Sequence, residues 1–189
     1  HCSILQYGPY LYACTSNGVD ATHQFVPSPH APSLVVLDKL TGRMVAADGR
    51  QIGPQIIHCT WSSPSAGQAA GRSLVFFAGG DAVCYAFDAW PEGWSGEEPG
   101  VLNCVWQFDC DPLAPKEHVH RFQDNRQQGP SHISGMPVLV DGRIYVTVGG
   151  DIWHGKREAW LKCIDATKSG DVTGDGPVWS YALNRHCVA

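Results

Sequence analysis

Nine histidines and eight cysteines are the side chains of this sequence that could carry chemistry. Two histidines stand one residue apart in His118-Val119-His120, and a strand with this spacing places both imidazoles on one side, as a metal pair needs. No third ligand follows from the spacing, so an exposed loop is the plainer interpretation. The sequence predicts no metal site, with His118 and His120 as weak candidates. A calcium-like run at 171–176 has Ala182 where the loop needs glutamate and is interpreted as a turn.

Composition disfavours several classes of function. Lys and Arg number 13 against 18 Asp and Glu, and the net charge of −5 disfavours nucleic acid or an anionic membrane as the main partner. No apolar run approaches the roughly 20 residues of a transmembrane helix. The sequence has neither a Gly-x-Ser-x-Gly nucleophile elbow nor a phosphate-binding loop, so it designates no catalytic residue.

The elements that must position these side chains form a repeat. Each of three units has two apolar strands, A and B, joined by a short turn. Strand C then ends in an aspartate (Asp38, Asp88 or Asp165), and a Gly-containing turn leads to strand D. The A–B turns at 68–72 and 141–143 have the composition of hairpins. Four-stranded antiparallel units in succession predict an all-β protein of the β-propeller type.

The repeat predicts three blades at about residues 1–53, 54–129 and 130–184, and the start of a fourth at 185–189. Propellers close with four to eight blades, so three cannot close alone. We therefore expect a fragment of one larger propeller of seven or eight blades. The remaining blades come from the same chain or from an assembly. The chain begins with His1 instead of Met, which also predicts that more chain precedes it.

The turn after strand C resembles the quinoprotein-type propeller repeat, named for dehydrogenases that use pyrroloquinoline quinone (PQQ). The segment 38–42, Asp-Lys-Leu-Thr-Gly, matches its Asp-x-x-Thr-Gly signature well, and the segments that begin at Asp88 and Asp165 match it loosely. Trp106 and Trp179 match its strand D tryptophan, where the first unit has Ala46 instead.

Two further segments, 31–42 and 61–65, resemble exported PQQ-like repeat proteins of planctomycete type. The resemblance covers nearly the whole chain. It implies the propeller fold and a periplasmic or extracellular location, and it specifies function poorly.

The resemblance implies two alternative functions. PQQ-like propellers without a cofactor act as binding or scaffold modules, whereas quinoprotein dehydrogenases use PQQ to oxidise alcohols or sugars. Those dehydrogenases carry two adjacent cysteines over the cofactor, and no two cysteines are adjacent here. We therefore predict an exported binding or scaffold module without a cofactor. The alternative is a PQQ-dependent oxidoreductase whose missing blades supply the cofactor site.

The histidines are predicted to share one end of the blades. Because the strands of a blade alternate in direction, B–C and D–A connections emerge at one end and A–B and C–D connections at the other. All nine histidines fall in the first set, at the end where the resemblance places a cofactor, although long loops hold polar residues in any protein. We predict a surface here that binds a protein partner or small ligand, with His58, His132 and His186 near the propeller axis. Its predicted residues are His23, His30, His58, Trp61, His132, His154 and His186.

The cysteines are interpreted mainly as structural. Cys2, Cys59 and Cys187 follow histidines at the starts of A strands, where a thiol-lined channel and small buried residues are the alternatives. Most cysteines are predicted to be unpaired because others, such as Cys84 and Cys163, occupy strand positions that neighbouring units fill with apolar residues. The side chains predicted to be buried between blades are Val36, Leu37, Ala86, Phe87, Trp106, Cys163, Ile164 and Trp179.

Overall fold

The computed structural model describes residues 2–91, 96–122, 124, 127–151 and 156–185. Within these ranges the chain forms β-strands and three short 3-10 helices, with no α-helix. The all-β prediction is confirmed. None of the helices in these ranges has the length and apolar character needed to span a bilayer. The 3-10 helices are Gly53–Gln55, Val119–Phe122 and Thr173–Asp175.

The strands follow one another with short turns or longer loops. In chain order they are β1 (Leu5–Tyr7), β2 (Tyr10–Cys14), β3 (Leu34–Asp38), β4 (Met44–Ala47), β5 (Ser65–Ala69), β6 (Arg72–Ala78), β7 (Val83–Asp88), β8 (Gly100–Val101), β9 (Cys104–Asp109), β10 (Ser131–His132), β11 (Val138–Val140), β12 (Arg143–Gly150), β13 (Ala159–Asp165), β14 (Gly170–Asp171) and β15 (Trp179–Leu183).

Three sheets contain the four antiparallel strands A to D in chain order. The first is β1-β2-β3-β4, the second β5-β6-β7-β9 and the third β11-β12-β13-β15. In the third sheet β10 also pairs with β12, so strand A there is split in two. Ala70-Gly71 and Asp141-Gly142 have positive φ at both residues, as type I′ hairpin turns require. The predicted A–B hairpins are therefore present.

Short parallel strands tie the second sheet to the first and the third sheet to the second. The loop between β7 and β9 contains β8, which pairs with β4 so that Gly100 lies opposite Ala46. The loop between β13 and β14 places β14 beside β9, with Gly170 opposite Trp106. The C–D connections of the second and third sheets therefore each add a strand beside the outer strand of the preceding sheet, a feature that the repeat did not predict.

Two apolar layers fill the spaces between the sheets. Strand β6 supplies both layers because alternate side chains of a strand point to opposite faces. Phe77 faces the first sheet with Val36 and Phe87, whereas Phe76 faces the third sheet with Ile164. Burial is confirmed for the predicted residues Val36, Ala86, Phe87, Trp106, Cys163 and Ile164.

One buried hydrogen bond crosses each layer to an alanine carbonyl. Trp106, on the strand D of the second sheet, donates from Nε1 to the carbonyl oxygen of Ala166 at 3.1 Å. The first sheet has Ala46 at the matching position, and the Tyr12 hydroxyl donates instead to the carbonyl oxygen of Ala89. Burial raises the pKa of Tyr12, so its hydroxyl stays protonated and able to donate. Tyr12, two strands away from Ala46 in the same sheet, thus supplies the donor in place of the missing tryptophan.

The predicted burial of Trp179 is wrong. Trp179 has the register position of Trp106, opposite Cys163 on β13, but 42 % of its surface is exposed. Its strand β15 is the outer strand of the third sheet, and no sheet among the described residues packs over that face. Leu37 is also only partly buried. It has the position of Phe87, which packs against the preceding sheet, and no sheet among the described residues precedes the first.

Replacing Trp106 tests the layer between the second and third sheets. We expect Trp106→Ala to lower the free energy of unfolding by roughly 3–5 kcal/mol, because it leaves a cavity and an unpaired carbonyl. The matched variant Trp179→Ala should cost about 1 kcal/mol or less, because that side chain is largely exposed. Denaturant titration of both variants measures the difference. Equal losses would contradict this packing.

The Tyr12 hydroxyl offers a second test at the boundary between the first and second sheets. Tyr12→Phe keeps the ring but leaves the Ala89 carbonyl without its donor, so we expect a loss of about 1 kcal/mol in the free energy of unfolding. Tyr10→Phe on the same strand is the control and should change stability by less than about 0.5 kcal/mol. If both variants are as stable as the wild type, the hydrogen bond does not hold the sheets together.

Candidate functional site

The loops that carry the histidines meet at one end of the three sheets. In the first B–C loop, the Val19 N–H donates to the His58 carbonyl at 2.8 Å, which joins that loop to the start of the second blade. His58 in turn contacts Asp151, which follows strand B of the third sheet. His120, in the loop before β10, places Nε2 3.0 Å from the Ile56 carbonyl oxygen. Connections from all three sheets are therefore in direct contact.

Four ring side chains form a continuous row across these loops, which we call the ring row: His23, His58, Trp61 and His132. The ring centroids of His23 and His58 are 4.7 Å apart. Those of His58 and Trp61 are 4.8 Å apart, in an edge-to-face arrangement. Trp61 and His132 are also edge to face, with centroids 6.1 Å apart. The structure thus brings together four of the residues predicted for the ligand-binding surface.

The ring row is half-buried, with its deepest member at one end. His132 is buried and its Nε2 hydrogen-bonds with the Ser134 hydroxyl at 2.7 Å. His23, His58 and Trp61 are partly exposed. Three rings that solvent can reach, in a row with a fourth that is buried, suit stacking on and hydrogen bonding to a bound group.

Asp151 positions His58 and was not identified as a site residue from the sequence. Its side chain is buried, and Oδ2 accepts a hydrogen bond from His58 Nδ1 at 3.0 Å. This contact defines the imidazole tautomer and ring orientation. A sequence signal did exist, because Gly-Gly-Asp ends strand B twice, at 79–81 and at 149–151. An aspartate that recurs directly after two buried strands indicates that the backbone at the end of strand B is structurally constrained.

A surface cavity of about 510 Å³ lies beside the ring row. Its lining includes Gln24, the neighbour of His23, together with His118, His120, Arg121 and Asp124. His120 belongs to the 3-10 helix Val119–Phe122, and His118 precedes it with φ of +50°. These two histidines are therefore not on a strand, because the chain turns tightly at this point.

The remaining predicted residues do not join the ring row. His30 is exposed in the first B–C loop. His154 and His186 lie outside the described residues, as does Cys187. Among the side chains that the structure does describe, no three of His, Cys, Asp and Glu are arranged to hold a metal ion. The binding role of the predicted residues stays a prediction.

The other Gly-Gly-Asp corner holds a buried carboxyl group. Asp81 is 2 % exposed, and burial raises its pKa to about 6. Two hydrogen bonds oppose this effect, from the Tyr85 hydroxyl to Oδ2 at 2.6 Å and from the Val83 N–H to Oδ1 at 3.1 Å. Lys116 donates to the Asp81 carbonyl oxygen at 2.9 Å and so joins the long loop before β10 to this corner.

Comparison with known proteins supports the fold. No family model matches the sequence, and no curated protein matches it. A quinohemoprotein alcohol dehydrogenase of Pseudomonas putida HK5 matches with a TM-score of 0.51 and 14% identity, covering 96% of this chain and 20% of the enzyme. BamB of Moraxella catarrhalis matches with a TM-score of 0.49 and 14% identity, covering 96% of this chain and 51% of BamB. The chain therefore spans a fifth of the first protein and half of the second.

At this identity the likeness shows the fold alone. Together with the three antiparallel sheets, the match to the dehydrogenase confirms a β-propeller fold of the PQQ-like type. The number of blades beyond these three stays a prediction.

The raised pKa of Asp81 gives a pH-dependent contribution to stability. The folded protein binds a proton at Asp81 with a pKa of about 6, whereas an ordinary aspartate has 3.8. The group's favourable contribution is therefore complete below about pH 4 and is lost as the pH rises through 6. We expect the stability of the wild type relative to Asp81→Asn to fall by about 3 kcal/mol between pH 4 and pH 7. Denaturant titrations at several pH values measure this difference.

Tyr85→Phe is the companion variant, because it removes a hydrogen bond that lowers the Asp81 pKa. We expect the midpoint of the stability change to move to higher pH. A wild-type protein whose stability relative to Asp81→Asn is constant, or rises with pH, would contradict the assignment.

Proposed function

We propose that this propeller is a binding module whose ligand surface is the ring row with the adjoining cavity. The observation that carries the proposal is the row itself, in which His23, His58, Trp61 and His132 stay in contact although they come from three separate chain segments. Loops held on rigid sheets are where binding residues concentrate. Aromatic rings bury large areas at low cost in side-chain entropy, which suits them to recognition.

The chemistry of the surface favours a peptide segment of a protein partner. The rings offer stacking to an aromatic or planar group. The cavity beside them presents the Arg121 guanidinium and the imidazoles of His118 and His120, against one carboxylate from Asp124. Such a lining is complementary to an acidic side chain. We therefore propose a segment with an aromatic and an acidic residue as the ligand, the small ligand being the alternative occupant.

The cellular location of this module and the class of its partner are proposed from the sequence. The resemblance to exported PQQ-like repeats, planctomycete type included, supports a periplasmic or extracellular scaffold. The net charge of −5 favours a protein over nucleic acid as the partner. The remaining blades, in the same chain or an assembly, are its expected structural neighbours.

We propose that the described residues do not themselves hold a quinone. No two cysteines are adjacent, although the resemblance associates such a pair with the cofactor. The lysines at this end are engaged by carboxylates, since Lys116 contacts Asp109 at 2.8 Å and Lys156 contacts Asp111. The oxidoreductase alternative therefore depends on the missing blades, which would have to supply the cofactor site. Quinone absorbance in the purified full-length protein would support it.

Selection from a random peptide display library tests the binding proposal. We expect the wild type to enrich peptides that contain aromatic and acidic residues. Trp61→Ala should weaken their binding about fivefold or more, because one good stacking contact is worth on the order of 1 kcal/mol or more. The double variant His58→Ala, His132→Ala should also lose binding. Calorimetry or fluorescence anisotropy with synthetic peptides provides the affinities.

Leu40→Ala is the matched control for this experiment. Leu40 is 87 % exposed and lies in the C–D turn of the first sheet, at the end away from the ring row. Its substitution should leave peptide affinity unchanged. If no peptide is enriched, or if the enriched peptides bind Trp61→Ala as tightly as the wild type, the ring row is not the ligand surface.

A further inference from the structure

Three cysteine thiols meet at one backbone carbonyl, that of Thr60. Its oxygen lies 3.8 Å from Cys2 Sγ, 3.4 Å from Cys14 Sγ and 3.7 Å from Cys59 Sγ. The three residues come from the segment before β1, the end of β2 and the start of the second blade. We call this group the thiol cluster. Nothing in their sequence spacing indicates that they meet.

Cys2 and Cys14 share a second neighbour within the thiol cluster, the residue Ser16. The Cys14 sulfur accepts a hydrogen bond from the Ser16 N–H at 3.3 Å, and the Cys2 sulfur lies 3.5 Å from the Ser16 hydroxyl oxygen. The Cys59 thiol donates a hydrogen bond to the Ser16 carbonyl oxygen at 3.1 Å. All three cysteines carry free thiols and are partly exposed, so small reagents can reach them. Cys84 and Cys110, by contrast, are fully buried.

We propose that Cys2 and Cys14 form a reversible disulfide by exchange with a low-molecular-weight disulfide. The Cys2 thiol loses its proton and attacks one sulfur of oxidised glutathione, which releases the first glutathione thiolate. The Cys14 thiol then loses its proton and attacks the Cys2 sulfur of the mixed disulfide, which releases the second. The two cysteines are oxidised to one disulfide, and one oxidised glutathione is reduced to two glutathione molecules.

The site has a direct connection to the ring row. In the reduced protein the Cys2 thiol donates to the Trp61 carbonyl at 3.1 Å, and the Cys14 thiol donates to the Thr60 carbonyl. Neither sulfur keeps a proton in the disulfide, so oxidation removes both donors from the segment that carries Trp61. The redox state of the pair therefore acts on the backbone beside the ligand surface. Formation of the disulfide itself does not depend on ligand binding.

Protonation controls the speed of the reaction. Burial raises the pKa of Cys14 to about 12, and the neighbouring Cys2 thiol adds to this effect. Only the thiolate attacks a disulfide, so little reactive Cys14 exists at neutral pH. We expect closure of the Cys2–Cys14 bond to accelerate about tenfold for each pH unit between pH 7 and pH 9.

Oxidation of the full chain with glutathione disulfide at pH 8 tests the proposal. The reduced protein should lose about 2 Da in intact mass, with Cys2 linked to Cys14. Chymotrypsin cleaves after the tyrosines between them, at Tyr7, Tyr10 and Tyr12, so the linked peptides are identifiable. Oxidation should also raise the melting temperature by roughly 5 °C, because it closes a short loop.

Single variants separate this pair from its neighbours. Cys2→Ser and Cys14→Ser should not form the bond and should retain a glutathione adduct on the remaining cysteine. Cys59→Ser, and the control Cys104→Ser elsewhere in the second sheet, should close like the wild type.

Alkylation of the wild type gives the same answer without a variant, since iodoacetamide added in denaturant should label Cys2 and Cys14 in the reduced protein and neither in the oxidised protein. A bond mapped to Cys59, or unchanged mass and labelling, would overturn the proposal. Failure of peptide binding alone would leave it intact.

Discussion

The alanine carbonyl that follows the strand C aspartate in the second and third sheets is the constraint on which the arrangement of the sheets depends. Ala89 and Ala166 place this oxygen inside an apolar layer, where an unpaired acceptor is costly. The preceding sheet must therefore supply a donor. Trp106 supplies it at one boundary and Tyr12 at the other, from different strands. The parallel strands β8 and β14 pair across the same two boundaries. One buried hydrogen bond and one short parallel strand therefore join the sheets at each boundary.

The fixed boundary between the second and third sheets allows residues of both sheets to form one site. His58 begins the second blade and Asp151 ends strand B of the third, yet the two are 3.0 Å apart. Such a distance is maintained only if the second and third sheets keep a constant relative position, which the layer around Trp106 provides. A loop alone would not hold four rings in contact, because each side chain would lose conformational entropy without compensation. The ring row therefore depends on the rigid packing of the sheets.

The segment from His58 to Trp61 belongs to two arrangements at once. Its side chains at 58 and 61 are members of the ring row, while its carbonyl oxygens at 60 and 61 accept hydrogen bonds from the thiol cluster. Backbone and side chains of a four-residue segment cannot move independently. A change in the hydrogen bonds of the thiols therefore alters the positions of the rings. Side chains identified separately as candidate ligand residues and as structural cysteines are thus parts of one region.

Local patterns in the sequence determined the strands, the hairpins and the equivalence of Val36, Ala86 and Cys163, because periodicity and turn chemistry act over a few residues. They also placed Trp106 and Trp179 at one repeat position. Only the tertiary structure decided that the first is buried and the second exposed, since burial depends on which sheet packs over the strand. The same holds for the pairing of His58 with Asp151 and for the thiol cluster. Their members are distant in sequence, and contact between them follows from how whole sheets pack, which no local pattern encodes.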